Sequence, residues 1–448
     1  MLFALLLLAA SAADLVPMRW ATTDPKALEL LDGTPVNCLL AEPATWSEPM
    51  LSEARKRRLT VLGVIRPGAE AKRQAALASS LKLDGVVLEG IFEKGFITNP
   101  ELTVISMVPR AAMRFDAGPV VATSQAVWPG IQAEDDGKAK AAPSGAPWIN
   151  TNGGFLRFVR AAAPGTPVWL GNLPPANTII TPERYMQAIA DAAIIGARWV
   201  IALDDNFRKR LEAREATAVR DWKKITAAAA WYEQQPEWRS MKPVSKLGIV
   251  QDVDSGALYS GGVLDMIAVK HTPVRAVPAH SLGPESVKGL SMAVDVDPSS
   301  LTDSQKATLA AMRKAGGSTL SGPATWKFPP VTSDRITLPE ADVKMLDEIW
   351  KDMNHMTGRQ NLGVRLFNVS SMLSSFIQSE DGSHTVLHLV NYSGFPVENV
   401  TVHLLAKYKK ATLIAPGEKP RPLQLYDNDE GSGVDIDTVN IAAALLLE

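Results

Sequence analysis

The stretch Leu83-Asp-Gly-Val-Val-Leu-Glu-Gly-Ile-Phe92 decides how the rest of the chain is read. Asp84-Gly85 is a turn signal, and Val86-Val87-Leu88 is an apolar, β-branched run. Glu89 stands where that run stops, with Gly90 directly behind it. An unbroken apolar run of this kind suits a strand buried on both faces, as in a parallel sheet, because no polar face alternates with the apolar one. A carboxylate at the carboxyl end of such a strand is where α/β barrels keep their chemistry. The same letters also describe a loop glutamate after a core strand, so the neighbouring strand ends must weigh in.

They repeat the pattern. Further strands are expected at Met18–Ala21, Val36–Ala41, Thr60–Ile65, Thr103–Met107, Val120–Thr123, Val168–Gly171 and Trp199–Leu203, with Val86–Glu89 as the fourth of eight. Amphipathic stretches lie between them, at Glu48–Arg58, Ala69–Leu81, Gly154–Ala163 and Pro182–Ile195. Strand and helix alternating over this length imply a parallel sheet, and eight strands fit a (β/α)₈ TIM barrel. Trp128 to Trp148 is a long loop rich in Ala, Gly, Asp and Lys, and long loops in compact domains are functional or mobile. Its Glu134-Asp135-Asp136 reads as a solvated acidic segment or as a closing flap. Ala213–Met241 carries Val219, Trp222, Ile225, Ala229 and Tyr232 at three- and four-residue spacing, a core-facing helical stripe.

From Pro243 a second α/β unit begins. Strands are expected at Leu247–Val250, Val274–Val277, Leu290–Val296 and Thr319-Leu320, with helices at Gly261–Lys270 and Ser304–Ala315, the latter stopped by Gly316-Gly317. Thr337–Met356 holds one more helix. After Gly363 the texture changes to alternating segments at Thr385–Val390, Val397–Leu404, Ala411–Ile414 and from Val434, the pattern of an antiparallel sandwich. His388 is expected to face solvent or a neighbouring strand. The division is therefore a leader at 1–13, a barrel at 14–242, an α/β domain at 243–362 and a β-sandwich at 363–448.

The 448 residues are too many for one core, and 46% hydrophobic with 21% charged residues is the composition of a globular protein. A net charge of −2, without a basic patch interleaved with aromatics, argues against nucleic-acid binding. One cysteine, Cys38, excludes an intrachain disulfide framework and sits in the apolar run Val36–Leu40 as a buried, inert thiol. The six histidines show no metal-ligand spacing, and no glycine-rich phosphate loop occurs, so neither metal nor cofactor is expected. Met1–Ala13 is a short apolar core followed by small residues, the form of a signal peptide without its positive start, so a secreted or periplasmic protein is expected, with no membrane contact after processing.

The order barrel, α/β domain, sandwich resembles the three-domain glycoside hydrolases of the family 42 β-galactosidase type. Met292-Ala-Val-Asp-Val-Asp297, Leu301-Thr-Asp-Ser-Gln-Lys306 and Ala315-Gly-Gly317 resemble that family's flavodoxin-like, class I amidotransferase-like middle domain. His384-Thr-Val-Leu-His-Leu-Val-Asn-Tyr392 and Pro396-Val-Glu-Asn-Val-Thr-Val402 resemble its C-terminal sandwich. The resemblance implies a divergent secreted relative, with a middle domain serving a homo-oligomer. It also implies an acid/base glutamate after an asparagine at the fourth strand and a nucleophilic glutamate at the seventh. Here Leu88 precedes Glu89, and the seventh strand ends Trp169-Leu-Gly-Asn172 with no carboxylate. Cys38 lies far from the middle domain, which excludes amidotransferase chemistry.

Glycoside hydrolysis needs two carboxyl groups, one donating a proton and one acting as nucleophile or as base for water. Glu89, flanked by Leu88, Ile91 and Phe92, is the expected proton donor, because an apolar setting raises a carboxyl pKa. Asp205 or Asp204, after the eighth strand, is the expected second carboxylate, and strands four and eight facing across a barrel suggest an inverting spacing. Asp204-Asp205 equally reads as a helix cap before Phe207–Arg214. Trp128 and Trp148 are the expected sugar platforms, with Glu42, Arg66, Gln125 and Asn172 as polar groups on the same rim. The expectation is a glycoside hydrolase acting on an oligo- or polysaccharide. The competing reading is a carbohydrate-binding or scaffold protein on a decayed glycosidase barrel.

Overall fold

The computed structural model describes residues 11–115, 118–129, 131–133, 139–141, 151–251, 272–296, 298–321, 348, 351–353, 355–369 and 371–448. Eight strands pair in parallel and in chain order: β1 (Pro17–Trp20), β2 (Cys38–Ala41), β3 (Thr60–Ile65), β4 (Gly85–Glu89), β5 (Thr103–Val108), β6 (Val121–Thr123), β7 (Val168–Leu170) and β8 (Arg198–Trp199). The sheet closes on itself just after β8. The Arg19 N–H donates to the Ile201 carbonyl at 2.8 Å, and the Ile201 N–H to the Pro17 carbonyl at 3.2 Å. All eight expected strands form, within a few residues at their ends.

The two-residue pleat sorts the side chains. Cys38, Leu40, Leu62, Val64, Val87, Ile105, Met107, Ala122 and Trp169 fill the interior. Met18, Trp20, Leu39, Val61, Val86 and Leu88 point outward into the layer of helices. Both sides of β2, β3 and β4 are thus apolar, which is why they read as unbroken apolar runs, whereas Thr103 and Ser106 leave β5 partly open. Cys38 is fully buried, and burial pushes its thiol well above the ordinary range.

The helices are α1 (Glu48–Lys56), α2 (Ala71–Ser80), α3 (Gly153–Ala162), α4 (Pro182–Ala193), α5 (Asp205–Glu212) and α6 (Ala216–Glu233). Ser47 caps α1 by accepting the Met50 N–H, and Pro182 opens α4, both ordinary helix starts. Strict alternation fails at two places. Residues 90–102 between β4 and β5 hold no helix, and the described residues between β5 and β6 hold only the 3₁₀ turn Arg110–Ala112. Gly90 and Gly95 have positive φ there, and Pro100 follows, so no uninterrupted helical stretch is available. At the barrel floor Ala12–Asp14 forms a 3₁₀ turn, and the Ala13 carbonyl accepts from Arg198 Nη1 at 2.6 Å. Ala12 and Ala13, set apart from the fold on sequence, therefore pack with it.

The second unit is a parallel sheet of β9 (Leu247–Gln251), β10 (Val274–Pro278), β11 (Met292–Asp295) and β12 (Ser318–Ser321), in the spatial order β10-β9-β11-β12. That order is the start of a doubly wound sheet. On one face Val250, Val277 and Ala293 pack against Leu309 and Met312 of α7 (Asp303–Lys314). On the other, Leu247, Ile249, Val274, Met292 and Val294 join the core of the barrel. Thr302 and Gln305 form a capping box at the start of α7, and Gly316 lies just past its end at φ +93°. The helix expected at Gly261–Lys270 lies outside the described residues. So does most of Thr337–Met356, of which 348, 351–353 and 355–356 are described, all helical.

The third unit is two packed antiparallel sheets. One holds β14 (Met372–Gln378), β15 (Thr385–Asn391), β21 (Ala442–Leu447), β17 (Ala411–Ile414) and β18 (Arg421–Leu423), with the two-residue strand Lys242–Pro243 paired to the edge of β14. The other runs β13 (Val364–Phe367), β16 (Val397–Leu404), β20 (Gly431–Val439) and β19 (Leu425–Asn428). Leu366, Phe376, Leu387, Leu389, Val402 and Ile436 lie between them. His388 does not face solvent. It is buried, edge-on to Trp238 with ring centres 4.6 Å apart, because the outer face of β15 is covered by the end of the barrel.

Helix α4 carries the barrel–sandwich joint. Arg184 Nη1 donates to the Tyr392 carbonyl at 2.8 Å, Gln187 Nε2 to the Asn391 and Ser393 carbonyls at 2.9 and 2.8 Å, and the Tyr392 hydroxyl to Asp191 Oδ1 at 2.7 Å. No helix among the described residues is long and apolar enough to cross a membrane.

Candidate functional site

The pleat that packs the interior also decides what stands at its mouth. Counting in twos from inward residues, the next inward positions are Arg19 on β1, Glu42 after Leu40, Arg66 after Val64 and Glu89 after Val87. Four successive strands thus deliver arginine, glutamate, arginine and glutamate to one place. Arg66 Nη1 lies 2.7 Å from Glu42 Oε2. Its Nη2 lies 2.7 Å from Glu42 Oε1 and 2.7 Å from Glu89 Oε2. Arg19 pairs with Glu89 through both of its terminal nitrogens and reaches Glu42 Oε1 at 3.4 Å. Because one nitrogen of Arg66 touches an oxygen of each glutamate, those two oxygens are no further apart than twice 2.7 Å.

Burial is graded across the cluster. The Arg19 side chain is 5% exposed, Glu89 11%, Glu42 22% and Arg66 42%. The charges alternate in sign, so two arginines and two carboxylates compensate each other where little solvent reaches. A cavity of about 150 Å³ at the β1–β8 rim reaches Arg19 and Glu42 but neither Arg66 nor Glu89, and Trp20, Leu30, Leu211 and Trp222 of the outer layer form much of its wall. That volume is the size that admits a single six-membered ring.

The expected residues do not all converge. Glu89, Glu42 and Arg66 meet in the cluster. Glu89 faces two guanidinium groups rather than the apolar surroundings expected of a proton donor, and Ile91 points out to solvent. Asp205 reaches the rim of the cavity, but its side chain is 83% exposed and paired with Arg208 at 3.0 Å. Asp204 is buried and occupied. It accepts from the Phe207 N–H at 2.9 Å, from the Ile180 N–H at 3.3 Å and from the Tyr185 hydroxyl at 2.9 Å, so it caps α5. Helix capping is the reading of Asp204 that its geometry supports.

Trp128 is not an open platform. It is buried, donates Nε1–H to the Leu173 carbonyl at 3.2 Å, and packs edge-on against Tyr185 and Trp199. Its apolar ring was better served by the layer outside the barrel than by the mouth. Trp148 and Glu134–Asp136 lie outside the described residues. Gln125 and Asn172 hold loops: Gln125 Oε1 accepts the Arg110 N–H at 2.9 Å, and Asn172 Nδ2 donates to the Ala126 carbonyl at 2.7 Å. Among the described residues no three His, Cys, Asp or Glu side chains gather as a metal would require.

Arg19 is the residue that sequence reasoning missed. Its signal was present: one arginine inside the apolar strand Pro17-Met-Arg-Trp20, in phase with the interior rather than with the outer layer. Finding it required knowing where the pleat begins.

No family model matches this chain, and no curated protein matches it by sequence. Among solved structures, α-L-fucosidase isoenzyme 2 from Paenibacillus thiaminolyticus aligns with a TM-score of 0.62 at 11% identity, over 97% of this chain and 98% of that one. A rhamnosidase from Novosphingobium sp. PP1Y gives 0.47 at 14% identity, over 90% of this chain and 40% of the longer one. The cold-adapted β-galactosidase from Rahnella sp. R3 gives 0.39 at 10% identity, over 89% of this chain and 66% of that one. These structural neighbours are glycoside hydrolases, and at such identities the likeness is one of fold.

Proposed function

We propose that this chain is a glycoside hydrolase whose chemistry takes place at the carboxyl-end mouth of the barrel, on an oligo- or polysaccharide. The observation that carries the reading is the pair of inward carboxylates, Glu42 and Glu89, bridged by a single guanidinium nitrogen at the mouth of the barrel. Glycosidic bonds are cleaved by two carboxyl groups acting on one anomeric centre. The fold shared with the fucosidase supports the same class. Glu89 is one of the two reacting groups.

The parts around the barrel follow the same reading. The reading includes domain boundaries at 14–242, 243–362 and 363–448, export directed by Met1–Ala13 and a secreted or periplasmic site of action. The β10-β9-β11-β12 order supports a doubly wound middle domain, and the reading makes that domain amidotransferase-like, non-catalytic and a site of homo-oligomer assembly. A carbohydrate-binding barrel without catalysis is the second reading, favoured by the grip of two arginines on Glu89 and by the lack of a carboxylate at the end of β7.

The test is hydrolysis of a panel of 4-nitrophenyl glycosides and oligosaccharides by the full chain and by Glu89→Gln. Turnover by the wild type that falls by about 10³-fold or more in Glu89→Gln supports the enzyme. Glycan binding without turnover, in both proteins, would establish the binding barrel instead.

A further inference from the structure

We infer that Glu42, rather than an aspartate after the eighth strand, is the second reacting carboxyl, that Glu89 is the nucleophile and Glu42 the proton donor, and that hydrolysis retains the anomeric configuration. The inference rests on the glycosidase reading above and deepens it. Four observations on the mouth of the barrel carry it.

The first is direction. Glu42 continues the inward phase of Cys38 and Leu40, as Glu89 continues that of Val87, so both carboxyls point into the mouth. The second is spacing. Retaining glycosidases hold their carboxyl groups about 5–5.5 Å apart, whereas inverting ones separate them by about 6.5–9.5 Å to admit a water. Oxygens that share one nitrogen of Arg66 at 2.7 Å each fall in the closer class. The third is space. Glu42 lines the cavity at the β1–β8 rim, which the more deeply set Glu89 does not reach. The fourth is elimination among the alternatives. Asp204 spends its oxygens on three donors, and Asp205 turns to solvent and Arg208.

Roles follow from how each glutamate is held. A nucleophile must be a carboxylate fixed in one place; Arg19 and Arg66 hold both oxygens of each glutamate, and Glu89 is the more deeply buried of the two. A proton donor must exchange with solvent between turnovers. Glu42 is twice as exposed as Glu89, and its main partner Arg66 is itself the most exposed member of the cluster. Arg66 occupies the space between the carboxyls, so a sugar reaching both of them has to displace it.

The steps balance. A Glu89 oxygen attacks the anomeric carbon as the glycosidic bond to the leaving oxygen breaks, and that oxygen takes the proton of Glu42. This leaves a glycosyl ester on Glu89 and a carboxylate on Glu42. Water then gives a proton to Glu42 while its oxygen displaces Glu89 from the anomeric carbon. Both glutamates return to their starting forms, and two displacements restore the configuration.

The experiment uses the full chain and whichever 4-nitrophenyl glycoside the wild type cleaves. Proton NMR is expected to show the first-formed sugar with the substrate's anomeric configuration. Glu89→Gly is expected to lose about 10³-fold or more in rate and to regain turnover with sodium azide, giving a glycosyl azide of inverted configuration. Glu42→Gly with azide is expected to give the retained azide instead, because Glu89 still forms the ester. Rescue itself reports a folded site, and Glu42→Gln and Glu89→Gln give the isosteric controls. An inverted wild-type product, full activity in Glu42→Gln, or azide rescue of Asp205→Gly in place of Glu42→Gly would overturn the inference while leaving the glycosidase reading intact. No turnover by the wild type on the whole panel would overturn both.

Discussion

Two ionisable side chains show how the same residue type changes meaning with its surroundings. Glu89 looked like a carboxyl in an apolar setting, but its neighbours in sequence are not its neighbours in space, and the groups that meet it are Arg19 and Arg66. His388 moves the opposite way. Its strand suggested an exposed or cross-strand ring, yet neither ring nitrogen has a partner among the described residues, and burial pushes its pKa from about 6.5 down to about 3. The unfolded chain protonates this ring below about pH 6.5, and the folded one only near pH 3. Between those values the unfolded state binds the extra proton, so the stability associated with the neutral ring is complete above pH 6.5 and is lost as pH falls, at about 1.4 kcal/mol per unit. His388→Leu is expected to flatten the fall of melting temperature between pH 7 and pH 4. An unchanged slope would mean that the ring is hydrated.

Helix α5 shows the same contrast at the scale of an element. The Asp204-Asp205 pair was legible both as chemistry and as a cap, and the two residues divide the roles between them. Asp204 turns inward and joins three donors from α5, from the segment before α4 and from Tyr185, while Asp205 turns outward. Removing the cap costs about 1–2 kcal/mol, and the Tyr185 hydroxyl and Ile180 N–H lose a partner as well. Asp204→Ala is therefore expected to lower the melting temperature by several degrees, with hydrolysis per folded molecule largely kept. A fall in kcat at unchanged stability would give Asp204 a chemical role instead. The strands needed no such choice, because an apolar run packed on both sides reads the same from either face.

In the whole molecule, the barrel and the sandwich are joined by polar groups with the water removed. Asp191 is fully buried on α4, and desolvation raises its pKa even though the Tyr392 hydroxyl and Asn152 hydrogen-bond to it. A raised carboxyl favours the fold below the unfolded value near 3.8, and that contribution is lost as pH rises toward the folded one. Tyr392→Phe removes one of those hydrogen bonds, so it is expected to cost about 1–3 kcal/mol in urea unfolding, with the larger cost where Asp191 is ionised. It is also expected to expose the joint to limited proteolysis before the barrel opens. An unchanged stability in Tyr392→Phe would show that this hydrogen bond does not hold the joint.

The sequence by itself determined the eight strands, the change of texture after Gly363 and the inertness of Cys38. Each depends on local apolar patterning, which a strand buried on two faces, or a sandwich strand buried on one, cannot avoid displaying. It also placed Glu42, Arg66 and Glu89 at strand ends. What only the tertiary structure decided is which ends meet. Closure of the barrel and the phase of its pleat turn Arg19 inward, join it to two glutamates from other strands, and leave Trp128 and Asp204 to packing and capping. Those contacts bridge residues up to 70 positions apart. The pairing of charges across a closed sheet depends on register between strands, and no single strand carries that information.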